Sequence, residues 1–193
     1  MRPLAAWSCT GWRRSGGRRS ISFCTGESRM DALGLATQVE GALSGPAWHG
    51  ASLEENLRGL TAEQAAARPV SEAHSIWELV LHLTAWAGEV TRRLGGAEPD
   101  MPAEGDWPPA GAVSPGAWTA ALARLRGAHV ALVDAVRRLP AERWTQRVGA
   151  ERDAPLGTGV TYAEMVQGLV QHDAYHGGQI GLLRKALGAP PVA

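Results

Sequence analysis

The sequence predicts an all-α fold, a four-helix bundle, from three observations. Four long stretches repeat apolar residues at the 3.6-residue period, each carries local start or stop signals, and no stretch alternates apolar and polar residues as a strand would. The stretches run to roughly 15 to 27 residues, long enough to bury a shared core.

The first begins near Asp31, puts Leu35, Ala36, Val39, Ala42 and Leu43 on one face, and breaks at Ser44-Gly45-Pro46. Trp48-His49-Gly50 follows as a loop. His49 reads as a surface or capping contact, with a place at the mouth of a site as the alternative. Ser52 with Glu55, then Thr61 with Gln64, form capping boxes that start short helical pieces.

Ser75 with Glu78 opens the second long helix, which runs to Leu94 and stops at Gly95-Gly96. Ile76, Leu79, Val80, Leu83, Ala87 and Val90 make its stripe. His82 lies on the flank of that stripe, where a ligand at the edge of a core would stand and where a structural histidine would stand equally well. His74 precedes the cap and reads as a surface group. Residues 95 to 113 are rich in Pro, Gly and acid, a long loop anchored by Trp107 and able to cover a pocket.

Ser114 followed by Pro115 caps the third helix, whose stripe of Trp118, Leu122, Leu125, His129, Leu132, Val133 and Val136 ends at Leu139-Pro140. His129 therefore faces inward as a core hydrogen-bonding group, a group behind a site, or a fourth ligand. A helical turn at residues 141 to 144 and a glycine-containing loop lead on.

The last helix, residues 161 to 188, is opened by Thr161 with Glu164 and closed by Gly188 before Pro190 and Pro191. Met165, Leu169, His172, His176, Ile180, Leu183 and Leu187 share one face. His172 and His176, one turn apart, can aim two imidazole nitrogens at one point, the arrangement a divalent ion requires; a third ligand must come from another helix. Asp173 could orient a ligand ring. Gly177 and Gly178 cost about 1 kcal/mol each in a helix interior, which suggests close backbone approach or open room nearby.

Charge and cysteines bound the function. The chain has 193 residues, 45% hydrophobic and formally neutral. Residues 1 to 29 hold six arginines against Glu27 alone, a net of +5; of 19 basic and 19 acidic residues this leaves 13 and 18 for the remainder, a net of −5. An acidic domain with Lys185 as its one lysine is poorly suited to grip phosphate backbones, so no nucleic-acid partner is expected. The Gly/Ser/Arg-rich stretch 1–29 reads as a disordered tail or an upstream extension, with a targeting peptide as the rival, and 30–193 as one domain. Cys9 and Cys24 both lie in the tail, so any metal must be held by nitrogen and oxygen, in keeping with a cytoplasmic setting. No membrane-spanning run is present.

The segments HSIWELVLHLTAW (residues 74 to 86) and GLVQHDAYHGGQIGLLRK (residues 168 to 185), together with the Trp48-His49-Gly50 turn, resemble the DinB-like superfamily of metal-binding four-helix bundles, over residues 30 to 187. The resemblance implies a metal triad of His82, His172 and His176, an up-down-down-up helix order and a homodimer. Some members transfer small thiols such as bacillithiol or mycothiol. The expectation is a divalent ion, zinc or nickel, that holds a low-molecular-weight thiol for attack on a small electrophilic substrate. A metal-hydroxide hydrolase is a variant. A metal-stabilised binding or dimerisation module without turnover, closed by His129 or His49 as fourth ligand, is the alternative of a different class.

Overall fold

A computed structural model describes residues 32–190; the expectations for residues 1 to 29, for both cysteines and for a helix start at Asp31 fall outside them. The described residues are mostly helical. In chain order come α1 (Ala32–Leu43), α2 (Leu53–Leu57), α3 (Ala62–Ala66), α4 (Ile76–Leu94), α5 (Pro115–Arg138), a 3-10 turn (Ala141–Arg143), β1 (Arg147–Val148), β2 (Val160–Thr161) and α6 (Tyr162–Ala186).

The local start signals are all realised. Ser52, Thr61, Ser75 and Thr161 each accept a hydrogen bond from the backbone three residues on, and the Glu or Gln side chain there accepts one from the cap residue's own backbone N–H. Ser114 caps α5 with Pro115 at its first position. The apolar stripes are buried on all four long helices.

Helix α4 packs against α5 and α6, and α1 against the same two. Trp77 and Trp118, in the first turns of α4 and α5, meet with ring centroids 5.2 Å apart, so these two helices start at the same end. Helix α6 runs the other way: Ile180 and Leu183, near its end, share a cluster with Ile76 and Leu79 at the start of α4. Met165 and Val166, near its beginning, sit with Val90, Leu94, Leu132 and Val136 in a second cluster, which Leu35 and Val39 of α1 complete.

A polar layer divides the two clusters. His82 adjoins Leu83, the last residue of α4 in the first cluster, with Ala87 of the second a turn further on; His129 lies between Leu125 and Leu132, and residues 172 to 176 between Leu169 and Ile180. That layer fixes the height of the candidate site along the helices.

The sequence held no strand signal, yet β1 and β2 pair antiparallel, Val148 opposite Val160. Two residues on each side are too few for alternation to register. The pair closes the loop 149–159, in which Gly149, Gly157 and Gly159 all take positive φ.

Candidate metal centre

Three histidine nitrogens, one each from His82 of α4 and from His172 and His176 of α6, lie within 4.8 Å of one another. His82 and His176 are buried, while the side chain of His172 is 28% exposed. Among the described residues no other group of three His, Cys, Asp or Glu converges in this way. The helix spacing explains the pair on α6. His82 reaches it because its flanking position on α4 faces the seam with α6.

Two of the three rings are held from behind. His82 Nδ1 donates to the carbonyl of Asp106 at 2.6 Å, and Trp107 stacks on the ring with centroids 3.9 Å apart and 7° between planes. His74 stacks on the opposite side of the same indole, centroids 3.5 Å apart. Trp107 does anchor its loop, and His74 is part of that anchor as well as a surface group. His176 Nδ1 donates to Gln179 Oε1 at 2.8 Å. A carbonyl oxygen only accepts, so Nδ1 carries the proton in both rings and Nε2 presents a lone pair. Burial pushes the pKa of both histidines down, that of His176 to about 4 against a weaker upward pull from Gln179, so both rings are neutral at pH 7.

The third ring is unfinished. His172 Nε2 lies 2.8 Å from His82 Nε2 and must donate to it, which in a neutral ring leaves Nδ1 without a proton. Nδ1 and Asp173 Oδ1, 3.9 Å apart, are both buried without a hydrogen-bond partner. A cation taken up at Nε2 would move the proton to Nδ1, where it faces the orphaned carboxylate oxygen. The residues present thus fit a metal ion, and each imidazole has the outer partner that such ligands need.

Asp173 does more than back His172. Its Oδ2 accepts from His129 Nε2 at 3.1 Å, and His129 Nδ1 donates to the Leu125 carbonyl at 3.0 Å. With both nitrogens donating, His129 is an imidazolium paired with a buried carboxylate. Burial alone would lower its pKa; the Asp173 charge and hydrogen bond reverse this and raise it. Both nitrogens of His129 are therefore committed, and it is no fourth ligand. His49 is exposed and lines a separate depression with Gly178 and Gly181, away from the triad.

Gly177 meets α2 closely: Asn56 Nδ2 donates to its carbonyl at 3.4 Å, and a Cβ there would sit 3.5 Å from Leu53. Gly178 adjoins open space. The loop 95–113 reaches the site itself, and its residues 100–104 line a further depression beside α4. It supplies Asp106 and Trp107 to His82, while the wall of the cleft beside the histidines comes mainly from residues 152–160. Arg93, 1% exposed, ties both loops down through Glu89 Oε1 at 2.6 Å, the Leu156 carbonyl at 2.7 Å and the Asp100 carbonyl at 2.9 Å. Sequence reading missed Asp106, Gln179 and this arginine.

Fold and site together define an all-α protein with a three-histidine cluster able to hold a metal ion. The profile of the DinB superfamily matches residues 47–180, well over half the chain, and the chain belongs to that superfamily. The match begins after α1, later than the resemblance over residues 30 to 187 implies. No curated protein and no solved structure matches the chain significantly. No helix among the described residues is long and apolar enough to cross a membrane.

Proposed function

We propose that this chain is a divalent-metal-dependent enzyme, its ion held by His82, His172 and His176, that transfers a small thiol to an electrophilic substrate. The convergence of three imidazole nitrogens within 4.8 Å carries the reading. The absence of a fourth converging side chain among the described residues favours an open coordination position over a closed structural site. A divalent ion on three neutral imidazoles keeps its full charge and promotes deprotonation of a thiol or water bound beside it.

The chain's own groups prepare the site. The Asp106 carbonyl and Gln179 hold His82 and His176 in the Nδ1-protonated form, with Nε2 free. Asp173 is charged and faces His172, while its other oxygen is occupied by His129. Trp107 excludes water from one face of His82. The same reading takes residues 30–193 as one up-down-down-up four-helix bundle, supported by the packing of α1 and α4 on α5 and α6 and by the shared end of α4 and α5. It takes the ion as zinc or nickel and the protein as a homodimer, a point that light scattering on the eluting protein tests by its mass.

The deciding experiment is elemental analysis of the full chain beside His172→Ala, followed by titration of a small thiol into the cobalt-substituted protein. About one metal per chain, lost in the variant, with a sulfur-to-cobalt charge-transfer band is the expected result. Stoichiometric metal without that band would favour hydrolysis or a non-catalytic module. No metal in either protein would remove the triad as a metal site.

A further inference from the structure

A cleft of ≈ 540 Å³ opens beside the histidines between α4 and α6, with His82 and His172 at one end. That volume lies in the range of small-molecule sites, roughly 300 to 1,000 Å³. Its body is apolar: Trp86 and Val90 from α4, Met165 and Leu169 from α6, and Pro155 and Leu156 from the loop wall. The Trp86 ring is fixed, because Nε1 donates to Asp106 Oδ1 at 2.7 Å. The wall is fixed too, since Arg93 holds the Leu156 carbonyl.

Each charged group on the lining has a hydrogen-bond partner within the protein. The guanidinium of Arg93 is taken by Glu89 and two carbonyls, and the Asp106 carboxylate by Trp86. Glu164 Oε2 accepts from the Thr161 backbone at 2.7 Å and its hydroxyl at 2.9 Å, and Arg152, which donates to the Thr158 carbonyl at 3.0 Å, lies within electrostatic reach of Glu164. An uncharged apolar ligand leaves all of these hydrogen bonds in place as it enters.

Gly168 adds a separate observation. It stands within the unbroken helix α6 on this lining, and a Cβ there would meet nothing within 4 Å. Glycine is among the poorest residues for a helix interior. No neighbour demands it at this point, and what its missing side chain keeps open is the cleft.

We infer that this cleft is a subsite for an uncharged apolar group, aromatic or short aliphatic, on a small-molecule substrate whose reacting atom lies at the His82 and His172 end. The inference deepens the proposed function and rests on it only for the identity of that reacting end. Trp86 forms a rigid face for a flat ring, and Gly168 sets the width.

The test uses the neutral fluorescent probe N-phenyl-1-naphthylamine, titrated into the metal-loaded full chain. Saturable binding of one probe per chain, insensitive to salt, is expected. Gly168→Leu should weaken it at least tenfold with metal content unchanged and the melting temperature not lowered, because leucine is the better helix former. Gly178→Leu, on the same helix but facing a different open space, should bind the probe as the wild type does. Equal affinity in Gly168→Leu, equal loss in Gly178→Leu, or no saturable binding in the wild type overturns the subsite. Normal probe binding by a wild type that takes up no metal would support the subsite while removing the metal reading.

Discussion

Asp173 stands next to His172 in sequence, yet its short contact is with His129, 44 residues away: Oδ2 accepts from His129 Nε2 at 3.1 Å, while His172 Nδ1 lies 3.9 Å from Oδ1. One carboxylate thus joins a buried ion pair in the core to the partly exposed His172 at the surface of the seam. Replacing it disturbs both. Asp173→Asn leaves the His129 imidazolium without a counter-charge, which should cost about 3 kcal/mol or more of stability. Loss of the group behind His172 should weaken metal binding about tenfold. Urea melts and competition with a chelating dye measure the two effects separately.

The metal-free chain should lose stability with acid. The unfolded state takes up protons on its histidines from pH ~6.5 downward, whereas folded His176 resists until about pH 4 and His82 is shifted the same way. Between those values the unfolded state binds more protons, so stability falls, by on the order of 3 kcal/mol for His176 alone. Denaturant midpoints measured from pH 7 to 4 should trace this limb, and His176→Asn should flatten it.

His129 acts in the opposite direction. Its folded pKa is raised, so the stability it contributes is fully present below pH ~6.5 and is lost as pH rises through the folded value. Extended above pH 7, the same series should show an alkaline limb that vanishes in Asp173→Asn.

Trp107→Ala removes the ring stacked between His74 and His82. About 1 kcal/mol of ring contact is lost at a position outside the helices. The chain should stay folded by circular dichroism, keep its metal stoichiometry and bind the ion several-fold more weakly. Unchanged affinity in the dye competition would mean that the Asp106 carbonyl alone positions His82.

Arg93→Met removes one of the two guanidinium groups on the Glu89 carboxylate, which keeps Arg92 at 2.8 Å, and leaves the Leu156 and Asp100 carbonyls without their donor, so it should destabilise by about 1 to 3 kcal/mol. Glu89→Leu combined with it releases Arg92 to solvent as well, so the double variant should lose less stability than the two single losses added together. Thermal melts of the two single variants and the double close the cycle.

Helix boundaries were legible because their signals are local. Ser75 and Glu78 lie three residues apart, as do Thr161 and Glu164, and both boxes form in the fold. The pair His172 and His176 was legible for the same reason. His82 was readable only as the edge of a stripe, since its partner His172 is 90 residues away. Asp106 left no trace because it holds His82 with a backbone carbonyl, which every residue has. Gln179 could have been found: it follows His176 by three, a spacing that puts two side chains together on a helix. Arg93 and Glu89 were likewise four apart, but what buries them are carbonyls of two loops whose course no periodicity reveals.

The common starting end of α4 and α5 has a consequence for the chain between them. Helix α4 has 19 residues, a rise of about 29 Å, and the chain must return along that length before α5 can begin. Fully stretched, about nine residues would suffice for the journey. The chain uses 20, residues 95 to 114, and the slack is folded so that Asp106 and Trp107 reach His82. The return path is therefore also a strut, and trimming it to the minimum that connectivity allows would leave two helices joined and one histidine unsupported.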